Sequence, residues 1–246
     1  MPFIEKLKYS KILRFYFFFK KKLIIFVKRI LTPFIIKNYF KNNNIRKIHL
    51  GCGGRIFSGW LNADINIYAD CYLNLKNKLP FPDESINFIY SEHVIEHFEY
   101  IDAKNLLKEC YRVLKPAGVI RTAMPDLDFY LEGLNREKTG IDFEIYKEYI
   151  KAKMNSFQNL ADLPANMNTM LNFSCHCCGC QDRHRYVYQE KTFMALLNQC
   201  RFTNSKKVEP GKSDFPELLN LETSLINRPE DIKFHLLETL PIEAKK

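Results

Sequence analysis

The stretch that decides the fold runs from Lys47 to Asp64 and reads KIHLGCGGRIFSGWLNAD. A short β-type run, KIHL, stops at the glycine turn of residues 51–54, and a second strand candidate, Leu61–Ile65, carries Asp64 near its end. Glycine permits positive φ and lets backbone N–H groups face a ligand. A carboxylate at the end of the following strand can accept hydrogen bonds from both hydroxyls of a ribose. The stretch therefore predicts a nucleoside site formed by the turn and Asp64.

The spacing within this stretch separates two kinds of nucleotide fold. A dinucleotide fold has a third glycine and about 20 residues between its glycines and its acid. Here Gly51 and Asp64 are thirteen positions apart, and Ile56 follows Arg55 where another glycine would be expected. A pyrophosphate cradle at a helix N-terminus is thus disfavoured. The alternative to a nucleoside site is an ordinary glycine turn beside a surface aspartate, with no ligand.

Downstream, strand and helix patterns alternate. The strand candidates are Ile86–Tyr90, Val119–Met124, a run near Val208 and residues 234–242. The helix candidates are Asp102–Leu114, the region Leu127–Leu134, the region Phe143–Met154 and Glu190–Cys200. Asp102 is the predicted N-cap of the first of these helices. Such alternation predicts an α/β domain with a mostly parallel sheet and right-handed crossovers.

Five segments carry a family resemblance: IHLGCG (48–53), GWLNAD (59–64), LPFPDES (79–85), SEHVIEH (91–97) and LLKECYRVLKP (106–116). In order and spacing they resemble class I S-adenosylmethionine (SAM)-dependent methyltransferases, most of all the compact subgroup associated with bacterial surface-polysaccharide biosynthesis. The resemblance implies a Rossmann-like fold, with a mostly parallel seven-stranded sheet flanked by helices, and SAM as cofactor. It also implies O-methylation of a sugar or of a capsule or lipopolysaccharide precursor.

The resemblance also implies roles for single residues. Gly51, Cys52 and Gly53 would line the methionine part of SAM, Asp64 would hold the ribose, Asn74 would meet the adenine edge, and Glu92 and His93 would face the sulfonium and the acceptor. The family often has Asp where this chain has Asn74 and Asn87, and Gly where it has Ala117. An asparagine can still donate and accept at an adenine edge.

The candidates for proton transfer from the acceptor are His93, His97, Asp126 and His184. Histidine suits this task because its ordinary pKa lies near neutrality. The alternatives are that Glu96 and His97 only brace the loop, or that in-line positioning suffices without a base. The run HVIEH also fits a zinc-peptidase pattern, but its place after a predicted strand favours the methyltransferase interpretation.

A cysteine-rich segment precedes His184. Cys177 and Cys180, together with His184, have the spacing of zinc ligands. A tetrahedral zinc site usually draws on two separated pairs, and only one pair is clear, so a loop of free thiols is the alternative. We expect this Cys/His-rich insertion, around residues 155–189, to lie within a methyltransferase domain spanning residues 45–246.

Residues 1–44 form a basic, aromatic-rich arm. Thirteen of the 37 Lys and Arg residues precede Ile48, with one of the 28 acidic residues. A basic nucleic-acid-binding body is therefore not indicated, because the charge belongs to the arm. Its apolar runs, Phe15–Phe19 and Leu23–Val27, are too short to span a bilayer. The sequence of the arm is compatible with two predictions. The arm either docks peripherally on the anionic inner face of a membrane, on the cytoplasmic side, or forms a helix packed on the domain.

Other functions stay open from the sequence alone. The acceptor could equally be a small metabolite, a lipid or a phosphate-type group. Because Asn74 and Asn87 depart from the family pattern, a non-catalytic scaffold that keeps the SAM fold is a further alternative.

Overall fold

The computed structural model describes residues 11–134, 184–223 and 236–246. The helices are α1 (Lys11–Asn42), α2 (Tyr100–Val113), α3 (Leu127–Leu134) and α4 (Glu190–Gln199), with short 3₁₀ turns at Ile95–His97 and Pro216–Leu218. The strands are β1 (Lys47–Leu50), β2 (Leu61–Asp64), β3 (Cys71–Tyr72), β4 (Ile86–Glu92), β5 (Leu114–Pro125), β6 (Thr203–Lys207) and β7 (Thr239–Lys245).

The seven strands form one sheet in the order β3-β2-β1-β4-β5-β7-β6. The pairs from β3 to β5 are parallel, whereas β7 runs antiparallel to both β5 and β6. The order reverses at β1, with β2 on one side and β4 on the other. Ligands of open α/β sheets bind beyond the carboxyl ends of the strands at such a point. The fold is thus the predicted Rossmann-like α/β fold with a mostly parallel sheet flanked by helices.

Apolar side chains cover both faces of the sheet. On one face the core includes Ile48, Leu50 and Ile89, packed with the buried side of α2. On the other face Trp60, Tyr90 and other buried apolar residues form a second cluster. A parallel sheet needs cover on both faces, and for this reason its strands read as nearly continuous apolar runs.

Helix α1 has two different halves. Its second half packs on the domain: Thr32, Ile36 and Tyr39 are buried, and the Tyr39 hydroxyl donates a hydrogen bond to the backbone oxygen of Lys47 at 2.9 Å. In its first half the aromatic residues from Phe15 to Phe19 are more than half exposed. The second half of α1 is therefore a helix packed on the domain, which is one of the two arrangements predicted for the arm. None of the described helices combines the length and apolar character that a bilayer span requires.

Several local predictions need correction. Helix α2 begins at Tyr100, so Asp102 lies in the first turn and is not the N-cap; that place belongs to Glu99, whose extended backbone precedes the helix. The strand expected near Val208 is β6, which ends one residue earlier, and the last strand starts only at Thr239. The region Phe143–Met154 and the candidate ligands Cys177 and Cys180 lie outside the described residues.

Ala117 occupies a backbone conformation that glycine adopts at less cost. Its φ is 62°, in the left-handed region. The substitution of alanine for the glycine common in similar sequences is therefore a strained one, since left-handed φ costs a residue with a Cβ roughly 1–2 kcal/mol.

Candidate active site

The glycine turn after β1 and the carboxylate at the end of β2 form one unit. The backbone N–H of Gly53 donates to Asp64 Oδ2 at 2.9 Å, and the N–H of Asn66 donates to Asp64 Oδ1 at 3.0 Å. The Asn66 side chain in turn donates to the Gly53 oxygen at 2.8 Å. Because β1 and β2 are neighbouring parallel strands, their carboxyl ends meet. The turn and Asp64 therefore lie side by side, which a shared nucleoside site requires.

This turn has the space and the chemistry that a nucleoside ligand needs. Gly51 and Gly53 have φ of 68° and 55°, and a Cβ added at Gly53 or Gly54 would meet no atom within 4 Å. A Cβ on Gly51 would instead come within 2.4 Å of Val94 Cγ2. The turn is therefore open on one side and closed against Val94 on the other. Both Asp64 oxygens keep lone pairs for ribose hydroxyls, so the residues fit SAM.

The remaining residues predicted to contact the cofactor differ in their surroundings. Asn74 follows β3 and accepts a backbone hydrogen bond from Lys76 at 3.0 Å. Cys52 is buried, and burial raises the pKa of its thiol to about 12, so it stays protonated. Glu92, at the end of β4, is paired with Arg55. The cofactor roles assigned to these three residues stay predictions.

The side chain of Asn87 has a structural role. It lies at the amino end of β4, and its side-chain oxygen accepts hydrogen bonds from the Arg46 backbone and from Lys115 Nζ, both at 3.0 Å. The cleft lies at the opposite, carboxyl end of that strand. The change from Asp to Asn at this position therefore says nothing about cofactor binding.

His93 sits at the tip of β4 in a strained backbone conformation. Its φ is 50°, and its N–H donates to the backbone oxygen of Ala123 on β5 at 3.0 Å. Its Nδ1 lies 3.2 Å from Glu96 Oε1. Burial acts to lower the pKa of His93, but the bond with Glu96 and the charges of nearby glutamates outweigh it and raise that pKa. Strained residues of this kind cluster at functional sites.

His97 and His184 meet on the other side of Glu96. Their ring centroids are 5.1 Å apart, and the Nε2 atom of each lies 3.9 Å from Glu96 Oε1. Burial lowers the pKa of His184 to about 4, so this imidazole is neutral at neutral pH. Three of the four proton-transfer candidates, His93, His97 and His184, thus surround one carboxylate.

The contacts of Asp126 differ from those of the three histidines. Its Oδ1 accepts the N–H of Asp128 at 3.0 Å, which caps the start of α3, and its Oδ2 lies 3.2 Å from Lys207 Nζ. Asp126 is buried, and its N–H donates to the backbone oxygen of Glu238. Both carboxylate oxygens have structural partners here. A catalytic role for Asp126 stays a prediction.

The sequence did not single out several residues that the structure brings to the site. Arg55, in the loop after the glycine turn, joins Glu92 to the backbone oxygen of Leu221 at 2.9 Å. Glu238 is buried, accepts a hydrogen bond from the Tyr130 hydroxyl at 2.7 Å and contributes to the raised pKa of His93. No motif marks either residue. The one signal for Glu96 in the sequence was the HVIEH run, which contains Glu96 together with His93 and His97.

The comparison with known protein families agrees with the strand order of the sheet. A family described as a methyltransferase domain matches residues 70–122, which include β3, β4, α2 and most of β5. The match covers about a fifth of the chain, and with the strand order it supports a SAM-dependent methyltransferase fold. SAM is the cofactor of that class.

Several solved structures of methyltransferases are similar in fold to the chain. A SAM-dependent methyltransferase from Thermotoga maritima is 18% identical, with 95% of this chain and 97% of that chain covered and a TM-score of 0.45. One from Mesorhizobium loti is 18% identical, with 82% and 91% covered and a TM-score of 0.47. Phosphoethanolamine N-methyltransferase 2 from Haemonchus contortus, solved with SAM, is 14% identical, with 87% and 52% covered and a TM-score of 0.43.

These likenesses are distant, and the assignment of the fold rests on the strand order and the family match. No curated protein sequence matches the chain significantly.

Proposed function

We propose that the chain transfers a methyl group from SAM to a hydroxyl oxygen of a sugar, in a precursor of a bacterial surface polysaccharide. The observation that carries the proposal is the His93–Glu96 pair, with 3.2 Å between Nδ1 and Oε1. The residue after His93 is Val94, which contacts the cofactor turn at Gly51. The pair therefore flanks a residue that packs on the turn, which supports His93 as the proton acceptor for the reacting hydroxyl.

The chemistry follows from the surroundings of His93. When bound, SAM supplies a methyl group on a positively charged sulfur, and the C–S electron pair stays on that sulfur as the new C–O bond forms. The acceptor hydroxyl must lose its proton in the same step. With Nδ1–H donating to Glu96, the Nε2 atom of His93 carries the lone pair that takes this proton. The Glu96 carboxylate then stabilises the imidazolium.

The acceptor class is supported by the polar groups around this pair. Glu92, Glu96 and Glu238 are buried carboxylates near the imidazole of His93. All three raise the pKa of His93. Carboxylates and imidazoles are hydrogen-bond partners for the several hydroxyls of a sugar.

A methyl-transfer screen tests the proposal. The protein is incubated with methyl-labelled SAM and with nucleotide sugars and cell-envelope extracts, and label is expected in an alkali-stable ether of a sugar. His93→Gln should lower turnover about 100- to 10,000-fold, the range for loss of a general base. The exposed variant Lys206→Gln serves as control. Label in an amine or in a lipid instead would overturn the acceptor class, and unchanged turnover in His93→Gln would overturn the base.

We also propose that the first half of α1 docks on an anionic membrane surface. Support comes from its exposed aromatic residues, including Phe17 and Phe18, beside the lysine run at residues 20–22. Each basic residue near an anionic leaflet contributes about 1 kcal/mol, and exposed aromatic rings insert at the level of the headgroups. A membrane-bound glycan precursor would then be presented to the domain.

Vesicle sedimentation tests this docking. The protein should sediment with phosphatidylcholine vesicles that contain phosphatidylglycerol and remain in the supernatant with phosphatidylcholine alone. Changing Lys20, Lys21 and Lys22 to Glu should abolish sedimentation. The matched triple change of Lys76, Lys78 and Lys108 to Glu, all exposed on the domain, should leave it intact. Equal losses in both triple variants would contradict docking through α1.

A further inference from the structure

Glu96 is a buried carboxylate enclosed by imidazoles. Its side chain is fully buried, and the side chains of His93, His97 and His184 lie around its Oε1 atom at 3.2, 3.9 and 3.9 Å. Its second oxygen, Oε2, is buried and accepts no hydrogen bond from the described residues. A buried charged oxygen without a partner is costly, so this group points to a ligand of opposite charge.

The three groups Glu96, His97 and His184 have the spacing of metal ligands. One ligand atom from each lies within 4.8 Å of the others. Around a tetrahedral ion with bonds of about 2.0–2.1 Å, ligand atoms are roughly 3.4 Å apart. The 3.9 Å from Glu96 Oε1 to each imidazole nitrogen therefore needs only small side-chain rotations to reach that geometry.

Backbone contacts hold this arrangement independently of the side chains. The N–H groups of Arg185 and Tyr186 donate to the backbone oxygen of Glu96 at 2.7 and 3.1 Å. These two bonds fix His184, the neighbouring residue, against the 3₁₀ turn that carries Glu96 and His97. A site whose ligands are held in place before binding loses less entropy when it binds.

We propose that Glu96, His97 and His184 bind one divalent transition-metal ion, with Zn²⁺ as the ion that best fits two imidazoles and a carboxylate. This donor set is typical of sites that keep a further position open for a water or a substrate oxygen. His93 orients Glu96 through its hydrogen bond, as hydrogen-bonded neighbours commonly do for ligating carboxylates.

The open position gives the ion a place in the proposed reaction. A hydroxyl bound there would be more acidic and would be held near His93. This last step rests on the proposed function, whereas the metal site itself does not.

Metal content and spectroscopy test the site without reference to activity. The apoprotein, prepared with a chelator, should bind one equivalent of Zn²⁺ by calorimetry. With Co²⁺ it should show the visible absorption of a tetrahedral nitrogen and oxygen site, without thiolate charge-transfer bands. Glu96→Gln and His184→Ala should each weaken binding at least about 10- to 100-fold. Glu99→Gln is the matched control, because this side chain is exposed three residues from Glu96.

The double variant Cys177→Ser/Cys180→Ser separates this site from one in the cysteine-rich segment. Unchanged Zn²⁺ affinity in that variant supports the proposal. Loss of the metal there with retention in His184→Ala would overturn it, as would an apoprotein that binds no Zn²⁺ or Co²⁺. Circular dichroism and binding of S-adenosylhomocysteine show whether each variant is folded. Because methyl transfer is assayed separately, a metal-free but active enzyme would reject this inference and leave the proposed function standing.

Discussion

The backbone N–H of Gly53 donates a 2.9 Å hydrogen bond to Asp64 Oδ2. This bond ties the turn after β1 to the end of β2, so the two parts of the cofactor cleft hold each other in place. Asp64 therefore fixes the turn, and we predict that its remaining lone pairs accept hydrogen bonds from the ribose of the ligand. Changing this residue should affect both.

Asp64→Asn should weaken the binding of S-adenosylhomocysteine about 10- to 100-fold. An amide nitrogen in place of one carboxylate oxygen cannot accept the N–H of Gly53 or Asn66, and hydrogen bonds to charged groups contribute about 1.5–3 kcal/mol. Isothermal titration measures the change. Asp214→Asn is the control, since Asp214 is exposed and pairs with Lys206. Equal affinities in the Asp64 variant and the wild type would contradict the cofactor site.

Gly51→Ala should impair ligand binding more than Gly53→Ala. The new Cβ on Gly51 meets Val94 Cγ2 at 2.4 Å, whereas at Gly53 it enters open space, and both positions share the strain of positive φ. The difference between the two variants therefore isolates the clash. Adding Val94→Ala to Gly51→Ala should restore part of the affinity, as measured by titration with S-adenosylhomocysteine. A double variant no better than the single one would show that Val94 does not close the turn.

Arg121→Gln should destabilise the fold by about 3–5 kcal/mol. Arg121 is fully buried on β5, where it donates two bonds to Glu222, at 2.7 and 2.8 Å, and one to Glu243 at 2.8 Å. Removing the guanidinium leaves two buried carboxylates without their cation. Urea unfolding measures the loss. Lys206→Gln, which breaks the exposed pair with Asp214, should unfold at the same urea concentration as the wild type.

Arg112→Gln should destabilise the protein by about 1–3 kcal/mol at neutral pH. Arg112 donates to the backbone oxygens of Leu79 and Phe81, both at 2.9 Å, and to the carboxylate of Glu109 at 2.7 Å. These bonds fix the loop before β4, and a bond from a charged donor is worth more than a neutral one.

The stability gap between Arg112→Gln and the wild type should narrow in acid. The hydrogen bond from Arg112 holds the pKa of Glu109 below its ordinary value of 4.5. A lowered folded pKa stabilises the fold above the unfolded pKa, and this contribution is lost as the pH falls through the folded value. Urea unfolding at pH 7 and at decreasing pH below 4.5 measures the gap. If the stability difference between the variant and the wild type did not change with pH, Glu109 would contribute nothing to it. Only the hydrogen bonds from Arg112 to the two backbone oxygens would then account for the difference.

Ala117→Gly should stabilise the protein by roughly 0.5–1 kcal/mol. Ala117 has a φ of 62°, which costs a residue with a Cβ about 1–2 kcal/mol, and the greater freedom of glycine in the unfolded chain cancels about half of the gain. Thermal unfolding measures the effect. Ala103→Gly within α2 should act in the opposite direction, because glycine costs about 1 kcal/mol inside a helix. A lower melting temperature in Ala117→Gly would show that the strain is absent.

Much of the fold follows from local patterns in the sequence. The apolar runs of β1, β4 and β5, the helical spacing of α2 and the glycine turn all report conformations set by neighbouring residues. They placed the strands to within a few residues and put the glycine turn and Asp64 at the ends of neighbouring strands. The ends of elements were less accurate, as at Asp102, because capping depends on backbone geometry that a side-chain preference does not determine.

By itself, the sequence determined the class of fold, the glycine turn and the basic arm, since each depends on contiguous segments of the chain. Only the tertiary structure decided which distant side chains meet: His184 with Glu96, Arg55 with Glu92, and Arg121 with Glu222 and Glu243. It also split α1 into a packed half and an exposed half. The physical reason is that a buried polar group takes whichever partner the packing of the sheet brings within hydrogen-bonding distance, and no local periodicity records that choice.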